Sequence, residues 1–373
     1  MPARQPDLSK TYSGYIPFFP FVRFIRIIFK YGGISARGFA HLLPWLVKLI
    51  LFEPLRWVEH LVSANRIART PIDHPPVFIL GHYRSGTTFL QRIFSRDTRF
   101  GTMNTFDDAF PDIMLLFEKP LKPLLQWISD RLHAQNLFHR IPFSWSHPGE
   151  EDLSLVALLS PQAASWGFLF PKKFISIFDS LFFLKNEKMI RVWKKEYQYL
   201  LQKLTLKHNG KTLLLKSPPN TARVRELLEL FPGARFIYLH RDPAEVFIST
   251  QRLWRVVQRA HVLGSTSGVN TEECVYYTMA LFQRNWDTDK KELPVNRYIE
   301  VDYHQLINHP ADIMQQIYTH LELPDFAATE KAIQTFLAGQ KKYKTIDHVL
   351  SEDQRKEIQH RLAQYIQKFS STV

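Results

Sequence analysis

A chain of 373 residues, 45% hydrophobic and 14% aromatic, holds enough apolar material for one large core or two small ones, and α/β folds of this size often form a single unit. Its formal charge of +13 and pI of about 9.6 favour anionic partners: nucleotides, acidic lipid headgroups, nucleic acid or sulfated products. A single cysteine, Cys274, excludes an intramolecular disulfide and a multi-thiolate metal site, and with no repeat or low-complexity block the solenoid and disordered classes fall away.

Residues 1–73 differ in texture from the rest. Phe18, Phe19, Phe21, Phe24, Ile25, Ile28 and Phe29 alternate with Arg23, Arg26 and Lys30. Leu42, Leu43, Trp45, Leu46, Leu49 and Ile50 then share a helix with Lys48, and Arg56 follows. Apolar anchors beside cations suit a helix lying in a membrane interface; the same pattern suits a helical layer folded onto the core or onto a second subunit. The apolar stretch 38–52 is broken by Pro44 and Lys48 and closed by Glu53, short of the ~20 apolar residues of a membrane span. With no secretory pattern at the start, the expectation is a cytoplasmic protein with peripheral contact at the inner face of the membrane. The division expected is an N-terminal helical segment, 1–73, and one domain, 74–373, with a helical insert at about 104–208.

The segment Thr70-Pro71-Ile72-Asp73-His74-Pro75-Pro76 ends helix. Val77-Phe78-Ile79-Leu80 is a continuous apolar run, the mark of a strand buried on both faces. Gly81 to Thr88 turns into a helix running to about Ser95. Residues 100–210 read as mostly helical, with loops at 142–151 and 160–171 and an amphipathic helix over 187–206. Further strands are predicted at 212–216, 235–239 and 298–301. Each is followed by helix: at about 221–231, from Asp242-Pro243, and after Pro310. Strands alternating with helices give a P-loop-like α/β fold, a parallel sheet flanked by helices. In such sheets ligands collect beyond the carboxyl ends of the strands.

The motifs sit there. Gly81-His82-Tyr83-Arg84-Ser85-Gly86-Thr87-Thr88 has the glycine spacing of a nucleotide P-loop, whose backbone N–H groups wrap a phosphate at a helix N-terminus. Thr87 stands where a kinase or ATPase loop carries lysine, and the strand at 235–239 leads to Arg241, not to the acidic residue that organises Mg²⁺. Both departures point to a phosphate cradle that works without a metal. After that strand, Arg241 and Ser249 are placed to clamp a second phosphate, by a charge-assisted fork and a hydroxyl donor.

The string from Pro76 to Thr88 closely resembles the 5′-phosphosulfate loop of sulfotransferases that use 3′-phosphoadenosine 5′-phosphosulfate (PAPS), in the bacterial-type branch whose loop reads GHxRSGTT. Arg241 with Ser249 resembles that family's 3′-phosphate motif. Leu215-Lys216-Ser217-Pro218, Pro148-Gly149-Glu150-Glu151-Asp152, Val301-Asp302-Tyr303 with Leu306, and Lys341-Lys342-Tyr343 are similar to further segments of the branch, so the resemblance covers the chain from about residue 60 onward. Tyr83 and Phe89 depart from the tryptophan and histidine often found there. Pro218 stands where cytosolic members place a catalytic histidine, so the acceptor's base must come from elsewhere.

The resemblance implies PAPS as cosubstrate, no required metal, and a nucleotide site made by Arg84, Ser85, Gly86, Thr87, Thr88, Arg241, Ser249, Tyr303 and Lys342. Arg84 and Lys216 are the candidates to stabilise charge on the departing nucleotide, preorganised donors being typically the largest catalytic contribution. Glu150 is the favoured base, with Glu151, Asp107, Asp108 and His147 as further candidates; His82 is expected to hydrogen-bond or pack. The acceptor is a hydroxyl or amine of a small molecule, lipid or glycan, and the Phe-, Leu- and Trp-rich stretch 110–143 suggests an apolar lid over it. No nucleic-acid-binding motif is visible, and a homodimer stays open. A kinase-like P-loop NTPase and a non-catalytic nucleotide- or membrane-binding protein are the rival readings.

Overall fold

The computed structural model describes residues 20–134, 143–183, 186–339 and 350–370. Four apolar runs become strands where their composition predicts: β1 (Val77–Leu80), β3 (Thr212–Lys216), β4 (Arg235–His240) and β5 (Tyr298–Asp302). All four residues of β1 are buried, as expected of a strand covered on both faces. β2 (Phe100–Thr102) corrects the reading of that region as helix and loop, for it pairs in parallel with β3, Phe100 opposite Thr212. Its Gly101 lies so near His208 that an added Cβ would stand 2.7 Å from the ring. The sheet order is β2-β3-β1-β4-β5, with every pairing parallel. All carboxyl ends therefore face one edge.

The N-terminal helices α1 (Pro20–Lys30), α2 (Gly38–Leu51) and α3 (Glu53–Ala68) lay one face each on this core. Phe24, Ile27 and Ile28 of α1 are buried, and Trp45 of α2 stacks between Phe24 at 5.3 Å and Trp166 at 5.8 Å. Gly38 opens α2 against backbone: a Cβ there would stand 1.9 Å from the Leu263 carbonyl oxygen. From α3, buried Glu59 meets buried Lys203 at 2.6 Å and accepts the Leu115 and Leu116 amides at 3.1 and 3.0 Å.

The opposite faces of the same helices are bare. Leu43, Val47 and Ile50 on α2 and Val58, Leu61 and Val62 on α3 are exposed. No single helix among the described residues is long and apolar enough to cross a membrane, although α2 and α3, bent by 47°, pass that test as a pair.

A buried pair that loses one partner leaves an uncompensated charge. Glu59→Ala is expected to lower stability by about 3–5 kcal/mol, read from the urea midpoint; an unchanged midpoint would show that the Glu59–Lys203 contact does not anchor α3.

Candidate active site at the carboxyl edge of the sheet

β1 ends at Leu80, and the loop runs from Gly81 to Gly86 before α4 (Thr87–Phe94) begins. Gly81 and Gly86 have φ of 139° and 103°, which side chains rarely tolerate. Space demands glycine as well: a Cβ on Gly86 would lie 2.4 Å from the Tyr303 ring, and one on Gly81 2.6 Å from the Leu239 carbonyl oxygen. Arg84 itself is left-handed, with φ of 67°, a conformation that costs of order 1–3 kcal/mol and clusters at functional sites.

The loop is tied down on three sides. Thr221 Oγ1 accepts the Gly81 amide at 2.9 Å, Thr250 Oγ1 donates to the Tyr83 carbonyl at 3.1 Å, and Ser85 Oγ donates to the His82 carbonyl at 2.8 Å. His82 is buried, with Nδ1 3.0 Å from the Tyr83 carbonyl and Nε2 3.0 Å from the Thr278 hydroxyl. Burial pushes its imidazole down to about 4, so it is neutral at physiological pH and acts as a loop brace.

Arg84 joins the loop to the helix that follows β4, its Nε donating to Ser249 Oγ at 2.9 Å. Arg241 lies over the Tyr303 ring at 4.2 Å, and that ring fills the space beside Gly86. The guanidinium fork of Arg241 grips Glu245 through Nε and Nη2, each at 2.8 Å. Thr87 and Thr88 form the first turn of α4. Lys342 lies outside the described residues.

The acid-rich turn comes down on the same edge. Pro148 bridges to Asn104, the Gly149 amide donates to the Met103 carbonyl at 3.1 Å, and Gln91 of α4 donates to the Gly149 carbonyl at 3.0 Å. A Cβ on Gly149 would stand 2.4 Å from Asp108 Oδ1. This clamp lies against the short helix α5 (Thr105–Ala109) and starts a second, whose residues Glu151–Ala157 follow Glu150 as cap.

Three consecutive carboxyls then go three ways. Glu150, about a quarter exposed, pairs with buried Lys216 at the end of β3. Asp152 is buried, accepts the Ala164 and Ser165 amides at 3.0 and 2.6 Å, and faces Arg223 at 3.5 Å. Glu151 is sealed, and neither of its carboxyl oxygens finds a hydrogen-bond partner. Burial raises it to about 8, against an opposing pull from Lys216. The hydroxyls of Tyr83 and Ser217 and Oε1 of Gln91 are likewise buried without a partner.

Of the remaining base candidates, Asp107 is fully buried, caps α5 in a reciprocal box with Asn104 and pairs with Lys207. Asp108 is held well above the usual carboxylate range, chiefly by burial, and its Oδ1 accepts the Glu150 amide at 2.9 Å. Both hold structure. His147 contributes its carbonyl to the Thr105 amide at 2.8 Å, and burial and Arg92 lower its imidazole. Gln91, Thr221 and Glu245, which the sequence reading passes over, are positioned by contacts far along the chain. No group of three or more His, Cys, Asp or Glu among the described residues is arranged to hold a metal.

Glu151 carries a pH signature. Its folded value near 8 lies above the usual 4.5, so the native state holds a proton that the unfolded state releases between those values. The stability it contributes is fully present below about 4.5 and is lost as pH rises through about 8. Glu151→Gln keeps the neutral shape. Relative to the parent protein its stability should therefore grow between pH 5 and 8, by about 1.4 kcal/mol per pH unit where the group is fully coupled. Parallel urea-stability curves over that range would refute the assignment.

Known proteins resemble this chain in sequence and in fold. The chain is 28% identical over 313 residues to the omega-hydroxy-beta-dihydromenaquinone-9 sulfotransferase Stf3 of Mycobacterium bovis, covering 83% of this chain and 79% of that protein, and matches the Mycobacterium tuberculosis protein of the same name equally well. Its fold is similar to the solved sulfotransferases STF1 of Mycobacterium tuberculosis and STF9 of Mycobacterium avium. The first has TM-score 0.69 at 18% identity, covering 92% of this chain and 90% of that one; the second has TM-score 0.65 at 21% identity, covering 83% and 80%. Residues 75–328 match the family model described as the sulfotransferase family, a span that takes in the Gly81 loop, the acid turn, Lys216, Arg241, Ser249 and Tyr303, and the chain belongs to that family.

Proposed function

We propose that this sulfotransferase draws the sulfuryl group from PAPS and delivers it to a hydroxyl of a hydrophobic acceptor, met at a membrane surface. The observation that carries this reading is the register of β1 and β3. Ile79 stands opposite Lys216, so the Lys216–Glu150 pair lies beside the loop that begins two residues later. A cradle of backbone amides, a cation and a reachable carboxylate meet at one corner.

The residues fit the donor. Arg84, Ser85, Gly86, Thr87 and Thr88 would hold its phosphosulfate end; Arg241 and Ser249 its 3′-phosphate; Tyr303, beside Gly86, the adenosine between them. The donor supplies an activated sulfuryl group on a good leaving phosphate. Lys216 and Arg84 place positive charge where the leaving nucleotide gains negative charge. Glu150 accepts the acceptor's proton, and Lys216 keeps its carboxylate oriented until then. Glu151, sealed beside it, has its carboxyl pushed up to about 8 by burial, which favours the neutral form and lessens repulsion.

Glu150→Gln should lower kcat by about 10²–10⁴-fold while leaving the affinity for 3′,5′-bisphosphorylated adenosine within about threefold, as calorimetry reads it. Normal turnover would sink the base assignment. Uptake of magnesium ATP in place of the bisphosphate would sink the donor reading and favour the kinase-like alternative.

The hydrophobic acceptor is supported by the Stf3 relatives, whose name specifies a menaquinone derivative, and by the bare helix faces. Of the eight Lys and Arg in residues 20–69, Arg26, Lys30, Arg37, Arg66 and Arg69 are exposed, whereas the two acids, Glu53 and Glu59, are ion-paired. On the helix Glu118–Arg131, Leu124, Trp127 and Ile128 are also exposed. Phe52, the residue that follows α2, packs its ring against Phe110 at 4.8 Å. Lys48 of α2 donates to the carbonyl of Ala157 at 3.4 Å, the last residue of the helix that Glu150 caps. An apolar, basic face of this kind suits an anionic bilayer. The protein should sediment with vesicles containing phosphatidylglycerol, and replacing Leu43, Ile50 and Leu61 by serine should weaken that binding at least about tenfold. Retention in the supernatant, or a dimer that buries these stripes, would overturn the membrane assignment.

A further inference from the structure

Glu245 lies one turn before Ser249 on the helix Pro243–His261 and occupies the fork of Arg241. A second cation reaches the same place from the end of the chain. Arg355, in the helix Glu352–Ser370, stands 3.0 Å from Asp242 Oδ1 and 3.9 Å from Glu245 Oε1. Nε2 of His304 is 3.6 Å from Glu245 Oε2. Arg241 and Glu245 are mostly buried, 12% and 18% exposed, so water screens this cluster less than it would an open surface pair.

A guanidinium whose Nε and Nη2 both hold a carboxylate cannot present the same edge to a phosphate. A carboxylate left beside an incoming phosphate also repels it. Both effects weaken if another cation takes up the carboxylate's charge.

We propose that Glu245 competes with the nucleotide's 3′-phosphate for Arg241, and that Arg355 on the C-terminal helix decides the contest by drawing Glu245 to itself. Arg355 is then a positioning residue acting through Glu245. It makes the docking of the last helix a determinant of selectivity for 3′-phosphorylated over plain adenosine nucleotides. The inference rests on the donor reading above.

The test is calorimetry of the full chain with 3′,5′-bisphosphorylated adenosine and with adenosine 5′-phosphate. Arg355→Ala should weaken the bisphosphate about tenfold and change the 5′-phosphate less than about twofold. Glu245→Gln should move the bisphosphate the other way, tightening it severalfold. The double variant should bind like Glu245→Gln alone, because Arg355 has nothing left to draw away. Equal shifts for both nucleotides, or additive effects in the double variant, would overturn the coupling while leaving the donor reading intact. Uptake of neither nucleotide by the parent chain would remove the donor reading and this inference with it. The opposite sign expected for Glu245→Gln, and the 5′-phosphate control, separate the coupling from mere loosening of the last helix.

Discussion

A cation buried at the end of a central strand must be answered. Lys216 is 2% exposed, and an ammonium taken out of water is costly unless a partner charge comes with it. Glu150 is that partner, and the rest of the site follows from its delivery. The chain must bring residues 148–152 down onto the sheet edge, which it does with a bridge to Asn104, a glycine that fits where no side chain could, and the carboxyl of Asp108 under the Glu150 amide. Once the turn is fixed, its neighbours have no choice of direction. Asp152 is committed to Arg223 and two amides, and Glu151 is turned into the interior, where burial pushes its carboxyl up to about 8.

The same edge shows how a loop can be specified by what packs behind it. The glycines of the Gly81 loop allow backbone to approach a phosphate, and here they are also demanded by Leu239 and Tyr303. Tyr303 in turn lies against Arg241, and Arg84 reaches Ser249. The Gly81 loop and the Arg241–Ser249 corner are therefore mechanically one object.

Four of the five strands, the loop and the parallel architecture are legible in the sequence because each is announced locally: an apolar run, a glycine spacing, a proline break. β2 escapes because three residues with a central glycine carry no period; it exists through its ladder with β3. The residues of the acid turn can be picked out by composition, yet their division of labour cannot, since Lys216, Arg223, Ala164 and Ser165 lie far along the chain. For the same reason the contacts that hold Asp107 and Asp108, with Lys207, Asn104 and the Glu150 amide, cannot be read from their own segment. Of the two readings of the N-terminal segment, the packed layer is seen in Trp45, which looks inward to Phe24 and Trp166, while Leu43 on the same helix is exposed.

The strand order carries a kinetic consequence. β1 is the centre of the sheet, and both of its partners, β3 and β4, are supplied only from residue 212 onward. During synthesis, Val77–Leu80 must wait through more than a hundred residues with both hydrogen-bonding edges unmet, and long-range parallel pairing of this kind is intrinsically slow. Until β4 leaves the ribosome this apolar tetrapeptide is an aggregation hazard, and the helices made in the interval are the material at hand to shelter it.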